Sequence, residues 1–427
     1  MNPDPDGFIG TLLAIEGIAD ARAVLNGPTG CRGYPAYFSD RNYPRENSLD
    51  RRTFEELFYF GQPRIPCTYL DCEDYVHGST EKLREILPLV AAKGDVFLAV
   101  VNSPGASLIG DDLVRFLEEA HLDQVCMAFE SAAYSRPLTE GFDEAIVSVL
   151  RWLKLNRLPR IKTRVNLLGL SMIQRHWQGA AAELTHLCEL MGLTVVSMPG
   201  AGSCVAGLRE SATASFNIVV FPEYAQKTAA FYEREYGIPA IIPPEGAPVG
   251  FSATEAWICT VAEATGRDPA PALAEIRRQR TRAFHQIARH YHEAGYPKGM
   301  TFAIRGDSSF VLPLTVWLHD YLGMIPVSVA CIAGEEKAMA CRLSEFLAAN
   351  GLSDALGADP AAAKPDFYFG DDLTAMDLIL SVSCRESICL FNRVAGDPEF
   401  IEKTFLGGTG ALWILERIFS AVKRFPE

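Results

Sequence analysis

"MTFAIRGDSSFVLPLTVWLHDYLGMIPVSVACIAG", residues 300 to 334, decides the fold class. Residues 300–307 and 326–334 are each dominated by apolar side chains, as parallel strands covered on both faces are. Between them, 310–323 repeats apolar residues at helical spacing, and strand, helix, strand in that order is the βαβ unit. The pattern recurs along the chain. Runs at 95–103, 164–171, 193–200, 216–222, 239–244 and 377–383 read as further buried strands, and 175–191, 223–236 and 334–350 as helices. The expectation is therefore an α/β chain of several doubly wound units. A basic, proline-interrupted break near 155–163 and a charged helix over 268–296 separate them. His285, His290 and His292 lie on that helix and read as solvated side chains.

Length and composition narrow the possibilities. At 427 residues the chain exceeds what one hydrophobic core usually supports. Hydrophobic residues at 48% and charged residues at 22% describe an ordinary globular protein. Lys and Arg number 39 against 53 Asp and Glu, and a net charge of −14 argues against nucleic acid as a partner. The N-terminus has no basic stretch before its short apolar run, and nothing approaches a membrane span. A cytoplasmic location without membrane attachment is expected. No G-x-x-x-x-G-K-[ST] occurs, so nucleotide hydrolysis would have to take place on a partner. "PGAGSCVAG" (199–207) does not fit G-x-G-x-x-G and reads as a turn lining a cleft.

The eleven cysteines are odd in number and include no Cys-x-x-Cys pair, which makes a disulfide framework improbable. Cys126, Cys188, Cys259, Cys331 and Cys341 lie in apolar or helical surroundings and read as small hydrophobes. Cys31, Cys67 and Cys72 differ, because they sit among Gly, Pro and aromatic residues in segments without helical periodicity. Loops of that kind are where binding groups tend to be placed.

Several blocks then carry a resemblance. "GPTGC" (27–31) with "AYF" (36–38), "DYVHGSTEKLREIL" (74–87), "NSPGASLIGDDL" (102–113), "EGFDEAI" (140–146), "FNIVVFPEY" (216–224), "YGIPAI" (236–241), "FAIRGDSSFVLPLTVWLHDYLGM" (302–324) and "GGTGALWILERI" (407–418) run in order. Together they resemble the nitrogenase component 1 superfamily over nearly the whole chain.

The resemblance implies three Rossmann-like α/β domains around a central cleft: 1–160, completed by a C-terminal helix 407–427, then 161–295 and 296–406. It implies paired subunits with an iron-sulfur cluster between them, and a separate P-loop iron protein that docks and drives electrons in with ATP. Cys31 matches the family's Gly-Cys cluster ligand, and thiolates hold such clusters. Asp6 falls where relatives have an upstream ligand cysteine, and Ser103 where they have a third. Cys67 and Cys72, five residues apart, could make up the missing ligands. Tyr34, Tyr37 and Phe38 would restrict water, and His77 would face the docking partner. Too few ligands lie on one copy for a four-iron, four-sulfur cluster. A homodimer sharing one cluster is expected, or a heterodimer with a related subunit supplying three cysteines. The strand at 216–222 ends in Phe221 where a cofactor cysteine would stand, and no histidine counterpart follows, so no iron-molybdenum cofactor is expected. The implied function is reduction of an unsaturated small molecule or metallocofactor. The alternatives are a cofactor-assembly scaffold without turnover and a cluster-free binding protein that keeps only the fold.

Overall fold

The computed structural model describes residues 5–44, 64–92, 95–131, 133–294, 296–332, 337–391 and 403–424. Three sheets follow one another along the chain. The first contains β1 (Ala21–Asn26), β2 (Phe97–Asn102) and β3 (Cys126–Phe129), in that order. The second contains β4 (Ile161–Leu168), β5 (Thr194–Ser197), β6 (Ala214–Val219) and β7 (Ala240–Ile241), in the order β5-β4-β6-β7. The third contains β8 (Thr301–Gly306), β9 (Ile325–Cys331), β10 (Phe367–Asp371) and β11 (Glu386–Phe391), in the order β11-β10-β8-β9. Every strand pairing in the three ladders is parallel, with helices between successive strands, so the chain is α/β with Rossmann-like units. In the second and third sheets the chain reverses direction of winding at β4/β6 and β8/β10. Crevices outside the carboxyl ends of strands at such points are where α/β sheets bind ligands.

Two expectations change. The run 377–383 is not a strand: Asp372–Leu380 is a helix, begun by Asp371, whose carboxylate accepts from the Thr374 amide at 2.8 Å. That cap turns the chain into a helix one step after β10, and β11 follows it. The C-terminal helix Gly407–Arg424 packs against the helices Gly250–Thr265 and Ala270–Ala294. The long helix Ala270–Ala294 is not solvated all round either, since Ala272, Ile276, Gln279 and Ala283 are buried and the His290 ring stacks on Phe419 at 4.9 Å.

The helix Gly7–Glu16 is buried along its whole length and crosses the helix Leu138–Leu153. Glycines make the crossing possible: a Cβ on Gly141 would overlap the backbone of Gly7. The glycine-rich turn 199–204 fastens the second sheet to this helix, with the Gly202 amide donating to the Gly17 carbonyl at 2.7 Å and the Val205 amide to Asp20 at 2.7 Å. Gly200 and Gly202 take φ of 77° and 91°, a region favouring glycine. The turn is a joint between units. Among the described residues, no helix is long and apolar enough to cross a membrane.

Candidate functional site

β1 and β2 end in paired asparagines, and this ending positions the first site. Asn26 donates to Asn102 at 2.9 Å and to the Ser79 hydroxyl at 2.8 Å, and accepts from the Thr68 hydroxyl at 2.9 Å. Thr68 accepts in turn from the Gly27 amide at 3.0 Å. Three chain segments, starting at Gly27, Cys67 and Ser103, are thereby held side by side. Gly27 must be small, because a Cβ there would lie 2.6 Å from the Ser103 hydroxyl.

Cys31 sits in the first turn of the helix Thr29–Asn42, not in an irregular loop, because Pro28 sets an extended φ,ψ from which the helix starts. Its thiol is partly exposed and lies beside Ser103, which is itself buried and accepts from the Ala106 amide at 3.2 Å. Cys67 is buried. Its thiol donates to the Gly27 carbonyl at 3.0 Å and accepts from the Tyr69 amide at 3.4 Å. Asp6 caps the helix Gly7–Glu16 by accepting from the Ile9 amide at 3.2 Å, and its charge acts on Cys31. The structure thus gathers Asp6, Cys31, Cys67 and Ser103 from four segments. Burial pushes both thiols above their ordinary value of 9.0; Ser103 opposes this at Cys31 and Asp6 adds to it. Desolvation dominates, so each thiol keeps its proton near neutrality until a cation displaces it.

Other residues fall elsewhere. Cys72 is exposed on the turn leading into Asp74–His77, and His77 is exposed on that short helix, 3.6 Å from Glu73. Among the described residues, no group of three or more His, Cys, Asp or Glu is placed to hold one metal ion. Phe38 is a correction: it is fully buried in the main core, so its ring packs the fold and lines no open site. Tyr34 and Tyr37 lie on the same helix, with side chains outside the described residues. Tyr75 is a site residue that sequence reasoning misses. Its hydroxyl lies near Ser103 and stands over Gly105, where a Cβ would come within 2.8 Å of it. The segment "DYVHG" contains it, but the pattern there points to the histidine. Tyr69, Tyr75, Val76 and Leu108 are exposed apolar side chains around this face.

A second feature lies between the sheets. A cavity of about 90 Å³ is lined by Thr139, Ile173, Tyr224, Arg305, Asp371 and Phe391 among others. Tyr224 follows β6, Arg305 and Asp371 end β8 and β10, and residues of the first unit close the remaining side. Arg305 pairs with Asp371 at 3.0 Å, and Tyr368 donates to the same carboxylate at 3.0 Å. This position matches the strand-end crevice expected of the two switch points.

Comparison with known proteins places this geometry. Residues 7–375 match the family described as nitrogenase component 1 type oxidoreductase. The nitrogenase molybdenum-iron protein beta chain of Methanococcus maripaludis is 25% identical, the match covering 87% of this chain and 79% of that one. A component of the light-independent protochlorophyllide reductase of Halorhodospira halophila is also 25% identical, over 65% of this chain; the chain spans about half (53%) of that relative's length. The solved structure "Nitrogenase Cp1 at pH 6.5" superposes with a TM-score of 0.75 at 16% identity, covering 99% of this chain and 93% of that one. At that identity the superposition speaks for the fold alone.

Proposed function

Because the chain belongs to the nitrogenase component 1 type oxidoreductase family, we propose that it is a nitrogenase-like reductase component. It receives single electrons from a separate, ATP-dependent P-loop iron protein through an iron-sulfur cluster at a subunit interface. It delivers them to an unsaturated small molecule or metallocofactor in the cavity between the sheets. We divide the chain accordingly near 160 and 295, with the sheets at 21–129, 161–241 and 301–391 as the three bodies.

The observation that carries this reading is the partly exposed Cys31 lying beside the buried Cys67 and Ser103 and the helix-capping Asp6. The fit to a cluster is partial, and its incompleteness favours an interface. Cys67 is engaged with the Gly27 carbonyl and Asp6 with a helix end, which leaves Cys31 as the reachable one of the two thiols. A cluster of this kind takes about four protein ligands, so a second chain completes it. When bound, the cluster supplies one-electron transfer. Cys31 would hold it, Ser103 would hydrogen-bond the ligating sulfur, and the apolar rim of Tyr69, Tyr75, Val76 and Leu108 would exclude water once covered. Cys72, exposed on the adjoining turn, is the second thiol each copy brings in a homodimer. A related subunit with three cysteines would make it unnecessary. The occupant of the cavity differs from an iron-molybdenum cofactor, since Phe221 after β6 is a fully buried ring and offers no thiolate.

Iron and acid-labile sulfide analysis of protein purified without oxygen tests this. Wild type should contain both, and Cys31→Ala should lose most of each while keeping its urea midpoint. Full iron retention in that variant overturns the assignment. About four irons per dimer of identical chains supports the homodimer, and co-purification of a related chain supports the heterodimer. A loaded chain that never turns over with a P-loop iron protein is the assembly scaffold instead.

A further inference from the structure

Glu223 and Asp307 are buried acids close enough to repel one another, on the wall behind the cavity. Their surroundings differ sharply. Glu223 accepts from the Ser308 hydroxyl at 2.8 Å, the Ser309 amide at 2.9 Å and the Ser309 hydroxyl at 2.7 Å. Three donors are therefore spent on this one carboxyl. Asp307 is fully buried, and neither carboxyl oxygen makes a hydrogen bond of good geometry. It precedes the helix Ser308–Leu322 without capping it through its side chain. An ionised carboxyl so placed would be strongly disfavoured, and beside the carboxylate of Glu223 still more so. The proton therefore resides on Asp307.

The next polar group leads outward. The Tyr224 hydroxyl lies beside Asp307, within reach of a hydrogen bond after a small adjustment. Tyr224 is 2% exposed and lines the cavity. We propose that the cavity between the sheets is a protonation site, in which the Tyr224 hydroxyl donates to the occupant and the neutral Asp307 carboxyl refills it. The inference rests on the reading above, in which the occupant is reduced.

The step balances. Where the cluster proposed above would supply an electron to an unsaturated bond of the occupant, the Tyr224 O–H bond breaks as a new bond to hydrogen forms on the occupant. The phenolate takes the Asp307 proton, and before the next electron a water entering the cavity passes a proton through the Tyr224 hydroxyl back to the buried Asp307 carboxylate, its hydroxide leaving to solvent. Two such rounds saturate one double bond. Burial and the charge of Glu223 both raise Asp307 well above its ordinary value of 3.8, in the direction this requires. The remaining charged groups nearby are already engaged. Arg305 and Asp371 pair across the opposite wall, and Asp143 accepts from Lys227 and Thr228 further along the Tyr224 segment. Tyr224 touches the occupant and is the catalytic residue, whereas Asp307 acts through it.

Infrared difference spectroscopy on the metal-free full-length chain at neutral pH reads Asp307 without requiring activity. Wild type should show the carbonyl band of a protonated carboxylic acid, absent from Asp307→Asn and shifted in D2O. In Tyr224→Phe the band should persist, move in frequency, and exchange with D2O at least several-fold more slowly. A missing band in wild type, or an unchanged exchange rate in Tyr224→Phe, overturns the proposal. Should Asp307→Asn fail to fold, the Tyr224→Phe exchange rate still decides. Failure of the reductase reading would appear in the iron content, and failure of this inference in the infrared band.

Discussion

The Cys31 face and the cavity between the sheets are both built near the carboxyl ends of parallel strands, yet they differ in what would complete them. At the ends of β1 and β2, the Asn26–Asn102 network holds three segments together and leaves a partly exposed thiol among exposed apolar side chains. At the ends of β4, β6, β8 and β10, residues from three units enclose a space and place buried acids behind it. The first arrangement has too few ligands and too much apolar surface for a finished site, and a second chain would correct both. The second needs only an occupant. Under the function proposed above, one strand-end geometry would give a half-site where the sheet faces outward and an enclosed site where sheets face one another.

The sharpest way to break this comparison is to loosen the Cys31 face from beneath. Glu16 is fully buried, pairs with Arg64 at 2.8 Å, and accepts from the Ala23 amide at 2.7 Å and the Ser39 hydroxyl at 2.5 Å. Arg64→Ala would strand that carboxylate, and urea unfolding should register a loss of about 3–5 kcal/mol. A loss below about 1 kcal/mol would mean that the face is held by other contacts.

Asp143, on the helix whose first turn lines the cavity, should contribute a pH dependence approaching neutrality. Asp143 is buried and accepts from the Lys227 amide at 2.6 Å, the Thr228 amide at 2.9 Å and the Thr228 hydroxyl at 2.6 Å, and burial raises it from 3.8 to about 6. The folded state therefore holds this proton to higher pH than the unfolded chain. Stability from this group is present in full below about pH 4 and is lost as pH rises through about 6, by up to about 3 kcal/mol at 1.36 kcal/mol per unit. Denaturation of wild type and Asp143→Asn across that window should show a smaller decline in the variant, since Asp6, Glu183 and Asp307 are raised in both.

Smaller effects separate the thiols. Cys67→Ala removes a buried thiol bonded to Gly27 and should cost about 1 kcal/mol of stability with iron content retained, and Cys188→Ala should behave the same way in the core. Loss of iron from Cys67→Ala would instead make that sulfur a ligand. Cys72→Ser changes an exposed side chain, so its unfolding midpoint should match wild type to within about 0.5 kcal/mol. If the dimer is of identical chains, its iron should be bound more loosely. Unchanged affinity would point to a heterodimer and to Cys72 as a surface thiol.

Alternation of apolar runs with helical spacing was enough to establish the α/β class, because strands buried on both faces and helices buried on one write their periods directly into the sequence. Collinear short blocks were enough for the family, and the Gly-Cys turn at 31 marked the residue on which the proposed cluster site rests. Neighbours distant in sequence left no such trace. The run 377–383 reads as a strand because its apolar residues are visible, whereas the Asp371 cap that makes it helical depends on one side-chain hydrogen bond. Phe38 looked like a site aromatic until the core closed over it, and Cys67 looked like Cys31 until the Gly27 carbonyl engaged it. Glu223 and its serine partners at 308 and 309 stand 85 and 86 residues apart in the chain, so neither acid could be recognised as the one deprived of donors. Local pattern determined the elements and the family; burial and hydrogen-bond partnership, which decide whether a thiol is reachable or an acid keeps its proton, arose only when separate units packed together.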